Sequence, residues 1–210
     1  MTVTRDERAA MCDLLDEVGP DRPTLCGDWT TRDLLAHLLV RERRLDASIG
    51  ILVPAFAKRT ERAMADVARQ SFTAMVATFR AGPPLWSPWA LPMVGDRANL
   101  FEFYVHHEDI RRAGDDWEPR DDDPRREDAL WSALKLMGRM LFRRSPVGVV
   151  LRAAGRDDAV VHKGPSTVFL VGQPSEVTLL GYGRPTDRTR VVLQGEPADI
   201  AAFEASPRGI

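Results

Sequence analysis

No run of apolar residues in this 210-residue chain approaches the ~20 that a bilayer-crossing helix needs, so a membrane span is not expected. The first residues, Met1 to Arg8, lack the apolar core of a signal peptide. Cysteine is scarce as well: Cys12 and Cys26 are too few for a disulfide framework. Together these absences point to a cytoplasmic protein. Excess positive charge is also missing, since 29 Lys+Arg against 31 Asp+Glu leave a formal net charge of -2. No basic stripe interleaved with aromatics appears, so neither nucleic acid nor an acidic membrane is an expected partner. Internal repeats and low-complexity segments are absent. Histidine is rare too, and three of the four histidines fall in two helical stretches, at His37, His106 and His107.

What is present has the balance of a globular chain, 44% hydrophobic and 29% charged. Thr4 to Glu7 form a capping-box pattern ahead of Met11, Leu14, Leu15 and Val18 at helical spacing, and Gly19-Pro20 ends that helix. Thr30 to Asp33 open a second helix with Leu34, Leu35, Leu38 and Leu45 as its apolar side. Helical spacing resumes from Ala57 to about Ala81, with a break near Gln70-Ser71, and Gly82-Pro83-Pro84 stops it. Leu85 to Gly95 reads as loop, Asn99 to Ala113 as helix between Asp96 and Gly114, and Asp115 to Asp123 as a solvated acidic loop. Pro124 suits the first turn of another helix carrying Leu130, Leu134, Met137 and Leu141.

After Pro146 the texture changes. Val147–Leu151, Ala159–Val161, Thr167–Val171, Val177–Leu180 and Val191–Leu193 are short β-branched runs between Gly, Pro and Asp, followed by a helix from Pro197 to Ala205. The expectation is an α+β protein: a helical-bundle domain over 1–145 and a small α+β domain over 146–210.

The sharpest feature is the helix from Asn99. At 3.6 residues per turn Glu102, His106 and Asp109 form one row, flanked by Phe103 and Ile110 on one side and Val105 on the other. A polar row therefore runs down an apolar face. A buried carboxylate needs an ion pair, hydrogen bonds or a metal. An acid and an imidazole four apart can grip one cation, and His37, on the second helix, offers a third ligand. The plainer alternatives are a core histidine at 37 and a local ion pair at 102–106. The second is strained, because both side chains point into the apolar face. Asp109 is placed to orient a ligand imidazole, while His107 projects about a third of a turn away. Arg41 and Arg44 follow His37 on its face, either as solvated charges or as anchors for an anionic substrate or thiol. Cys26 reads as a small buried residue, and Asp33 as the capping acid.

Trp29-Thr-x-x-Asp33-Leu-x-x-His37-Leu, followed by Glu102-x-x-x-His106-x-x-Asp109, resembles the metal-binding domain of mycothiol-dependent maleylpyruvate isomerases, within the DinB-like four-helix-bundle superfamily. Gly172-x-Pro-x-Glu-Val-x-Leu with Gly183-Arg184, then Val191-x-Leu-x-Gly195, looks like that family's C-terminal domain. The resemblance implies a divalent metal, commonly zinc, on His37, Glu102 and His106, and mycothiol as cosubstrate. The doubled His106-His107-Glu108 and the run Arg41 to Arg44 set the chain apart as a separate branch. Two functions stand open. One is a thiol-dependent transferase or isomerase acting on a small electrophile. The other is a non-catalytic protein that binds a metal or small ligand. Either suits a monomer or a homodimer.

Overall fold

The computed structural model describes residues 2–209, apart from the side chains at 49, 51, 52, 54 and 92–98. The protein is α+β, as expected, and divides into two compact units, Met1–Glu118 and Pro119–Ile210.

The first unit is helical: α1 (Val3–Val18), α2 (Thr31–Arg43), α3 (Leu45–Leu52), α4 (Ala57–Ala68), α5 (Phe72–Arg80) and α6 (Pro92–Arg111). Four of these share one core. Met11 and Leu15 from α1 meet Leu34, Leu35 and Leu38 from α2, Met75 and Phe79 from α5, and Phe103 and Ile110 from α6. Met64, Val67 and Ala68 of α4 pack along its edge. Gly19 ends α1 in the left-handed region at φ 74°, which a glycine adopts without penalty.

Several local expectations change. The cap of α1 is Thr2, whose hydroxyl accepts from the Arg5 amide, so Thr4 lies inside the helix and Glu7 is freed for a tertiary contact. Helix α2 ends at Arg43, and Leu45 begins α3 with its side chain exposed. Helix α6 starts at Pro92, before Asp96, whose side chain lies outside the described residues. Proline fits that first turn because it has no amide hydrogen to leave unpaired.

The second unit contains α7 (Pro124–Leu141), β1 (Gly148–Arg152), β2 (Ala159–His162), β3 (Thr167–Val171), α8 (Pro174–Gly181), β4 (Val192–Gln194) and α9 (Pro197–Ala205). Its sheet runs β2-β1-β3-β4, with β1 and β3 parallel and both outer pairs antiparallel. Val177–Leu180, expected as a strand, is instead the middle of α8. A short apolar run fits a buried helix as well as a strand, and Pro174 at its first turn starts a helix that is buried throughout. The expected change at Pro146 marks where strands begin, whereas the compact units part at 118/119. Helix α7 packs on α8 and β2 and so goes with the sheet.

Among the described residues no helix is long and apolar enough to cross a membrane.

Candidate metal centre

The centre is built from α2, α6 and the loop that leads into α2. Thr30 and Asp33 close a reciprocal capping box, the Asp33 carboxylate accepting from the Thr30 amide at 3.0 Å. This sets the start of α2, and His37 follows one turn later. In the loop, Thr24 donates its amide to the Trp29 carbonyl, and the Leu25 amide donates to the carbonyl of Asp109 at 3.0 Å. That last bond ties the loop to α6 and brings Cys26 beside the polar row.

His37 and His106 turn their Nε2 atoms toward one oxygen, Glu102 Oε1, at 3.0 and 3.4 Å. Arg41 Nε stands 3.7 Å from the same oxygen. The imidazole rings are 5.3 Å apart, centroid to centroid, nearly edge to face, and the Trp29 ring lies 5.3 Å from that of His37, tilted by 44°. On its far nitrogen, His106 Nδ1 lies 2.9 Å from Asp109 Oδ2. Asp109 is fully buried and also accepts from Cys26 Sγ at 3.0 Å. A chain of polar contacts thus runs from Cys26 through Asp109, His106 and Glu102 to His37.

These contacts set the charges. Burial pushes the His37 imidazole down despite its bond to Glu102, which favours the neutral ring. Burial alone would raise the Glu102 carboxyl, but the Arg41 charge and the hydrogen bonds from His106 and His37 hold it well below the usual range. His106 goes the other way: burial opposes its charge, yet bonds with Asp109, Cys26 and Glu102 hold it well above an ordinary imidazole.

Among the described residues two groups, His37–Glu102–His106 and Cys26–His106–Asp109, each bring three ligand atoms within 4.8 Å of one another. The first fits a divalent cation. It offers two imidazole nitrogens and a carboxylate oxygen on one side, with Asp109 on the back of His106 to fix its tautomer. Of the two arginines expected on the His37 face, Arg41 joins the site and Arg44, just past the end of α2, does not. Arg41 is buried, donates to Asn99 Oδ1 at 2.7 Å and lies 3.7 Å over the Trp89 ring. Arg44 stands apart with its guanidinium exposed on Asp46. His107 points elsewhere as well, with its Nδ1 2.7 Å from Glu7 Oε1.

Cys26, Asn99 and Trp89 join these residues without a sequence signal that marks them as members. Cys26 sits in a loop and Trp89 in a single 3-10 turn, where no periodicity announces a face, and Asn99, one turn before Glu102, stands where the sequence pattern marks only a helix start. Among the described residues the buried indole Nε1 of Trp89 has no hydrogen-bond partner.

Residues 3–71 match the family described as mycothiol maleylpyruvate isomerase N-terminal domain. The match bears out the resemblance carried by the Trp29–His37 motif, and its span contains Cys26, His37 and Arg41. No curated protein and no solved structure matches the chain.

Proposed function

From this family match and the convergence of two imidazoles on one carboxylate, we propose a metal-dependent enzyme that joins a low-molecular-weight thiol, mycothiol, to a small electrophile. The convergence of His37, Glu102 and His106 within 4.8 Å carries the proposal. Zinc is the favoured cation, because two imidazoles and one carboxylate are a frequent donor set for a zinc that keeps a position open. A cation bound there supplies the positive charge that keeps a thiol ionised at neutral pH.

The protein's own groups do the rest. Asp109 accepts from His106 Nδ1 and so presents Nε2 as the donor face. The Arg41 charge favours the ionised Glu102 carboxylate, and the Trp29 ring packs beside His37. In the reaction the thiol sulfur forms a bond to the electrophilic carbon and its proton passes to solvent. With a displaceable group on that carbon, the group leaves with its bonding electrons and a thioether results. With a double bond there, the adduct rotates and the carbon–sulfur bond breaks again, returning the thiol and an isomer.

The test is mycothiol-dependent conjugation of monochlorobimane by zinc-loaded protein. Thioether formation that disappears in His37→Ala supports the proposal. Zinc retention with neither thiol binding nor turnover overturns it.

One observation favours a second reading. Cys26, Asp109, His106, Glu102 and His37 already satisfy one another by hydrogen bonds, as a purely structural polar network would. A ligand-binding module without catalysis fits that closure, and the same assay separates the two.

A further inference from the structure

In the C-terminal unit, α7 and β2 approach closely because Gly138 carries no side chain. A Cβ there would stand 2.6 Å from Val161 Cγ1. Beside this contact lies a cleft of about 560 Å³ lined by Arg139, Arg143, Val160, Val161, His162 and Lys163. Three cationic side chains and an imidazole line it, and among the described residues no acidic side chain does. The chain as a whole is slightly acidic, so this concentration of positive charge is local.

Among the described residues these cations have no carboxylate partner within the cleft. Among the described residues neither Arg139 nor Lys163 has a carboxylate in ion-pair reach, and Arg143 spends one nitrogen on the carbonyls of Met140 and Gly209. Gathering like charges is unfavourable unless an anion joins them. An apolar surface adjoins the charges: β2 is an edge strand of the sheet, and Val160 on it is 63% exposed.

We infer that the cleft between α7 and β2 binds a small organic phosphate, with Arg139, Arg143 and Lys163 on the phosphate and Val160 against its apolar portion. Phosphate is favoured over a single carboxylate because a dianion matches several converging cations, and guanidinium forks bind its oxygens in pairs. The volume lies in the ~300–1,000 Å³ range of small-molecule sites, larger than an inorganic anion alone requires. The site belongs to a different unit from the metal centre, so it stands or falls separately from the proposed reaction.

The experiment titrates phenyl phosphate into the isotope-labelled full chain at ~150 mM salt, where exposed charges are screened beyond about 8 Å. Backbone resonances are followed by NMR. Saturable shifts confined to α7 near Arg139–Arg143 and to β2 near Val160–Lys163 are expected. Arg139→Glu and Lys163→Glu should each weaken binding about tenfold, the loss of one charge-assisted contact. Arg62→Glu, an equal charge change on an exposed residue of the helical unit, should leave it unaltered. Benzoate, with the same ring and one charge, should bind more weakly. Shifts scattered over all basic residues, equal affinity in the variants, or no saturation at ~10 mM would overturn the inference. So would binding of a Glu-rich peptide at this face without phenyl phosphate, which would make it a protein-docking surface.

Discussion

His37 Nε2 meets Glu102 Oε1 at 3.0 Å across 65 residues of chain, joining the middle of α2 to the middle of α6. This contact ties the site to the packing of the bundle. Each helix supplies a share of the donors, and the core beneath them, with Leu34, Leu38 and Phe103, holds the two faces in register.

Metal binding should therefore stabilise the fold. At a free zinc concentration one hundred times the dissociation constant, linkage contributes about 2.7 kcal/mol. Thermal unfolding with zinc and with a chelator checks this: the chelated protein should melt several degrees lower. In Glu102→Ala the two curves should coincide.

Asp109→Asn should keep the fold but weaken zinc binding about 10- to 100-fold, because the amide no longer fixes the His106 tautomer as a carboxylate does. Competition against a metallochromic indicator gives the affinity. Cys26→Ser, which retains a hydroxyl donor toward Asp109, should fall between the wild type and Asp109→Asn.

A second buried charge pair lies in the bundle core, away from this centre. Arg8 is held between the Phe79 and Phe103 rings at 4.4 Å, donates to the Phe79 carbonyl at 2.7 Å and pairs with Glu42, which is fully buried. Glu42→Ala leaves the guanidinium uncompensated and should cost about 3–5 kcal/mol by urea unfolding. Zinc stoichiometry should not change, which separates a packing defect from a site defect.

Cys12 lies in the core beside α5, and burial pushes its thiol from 9.0 to about 11, overriding the nearby charges of Arg80 and Arg8. The folded state thus favours the neutral thiol. As pH climbs from 9.0 toward 11 the unfolded chain releases this proton first, so stability should fall across that window. Alkylation by iodoacetamide at pH 8 should label half-buried Cys26 and spare Cys12 until the protein unfolds. Mass spectrometry of the peptides distinguishes them.

The row Glu102, His106 and Asp109 was legible in the sequence because the helical period alone aligns it. The apolar residues around it showed that it would be buried. His37 was legible for a related reason: the capping box at Thr30–Asp33 sets the phase of α2, and that phase places His37 toward the core. The placement of Cys26 was not. It depends on a backbone bond between Leu25 and Asp109 and on the bridge between Pro23 and Thr30, and loop geometry of this kind has no period. Arg41 and Arg44 looked equivalent on one face, but α2 ends at Arg43, and the chain turns between them. Only Arg41 is left facing α6. Val177–Leu180 misled because in a fully buried element the polar side that would reveal the period is missing.

The most direct test of the central claim is the metal content of gently purified protein, measured by elemental analysis beside His37→Ala and Glu102→Ala. The account predicts about one divalent metal per chain in the wild type, lost from both variants while their folds persist by circular dichroism. A wild type that holds no metal, even after reloading with zinc or nickel, would contradict it and reduce the cluster to a buried network of hydrogen bonds.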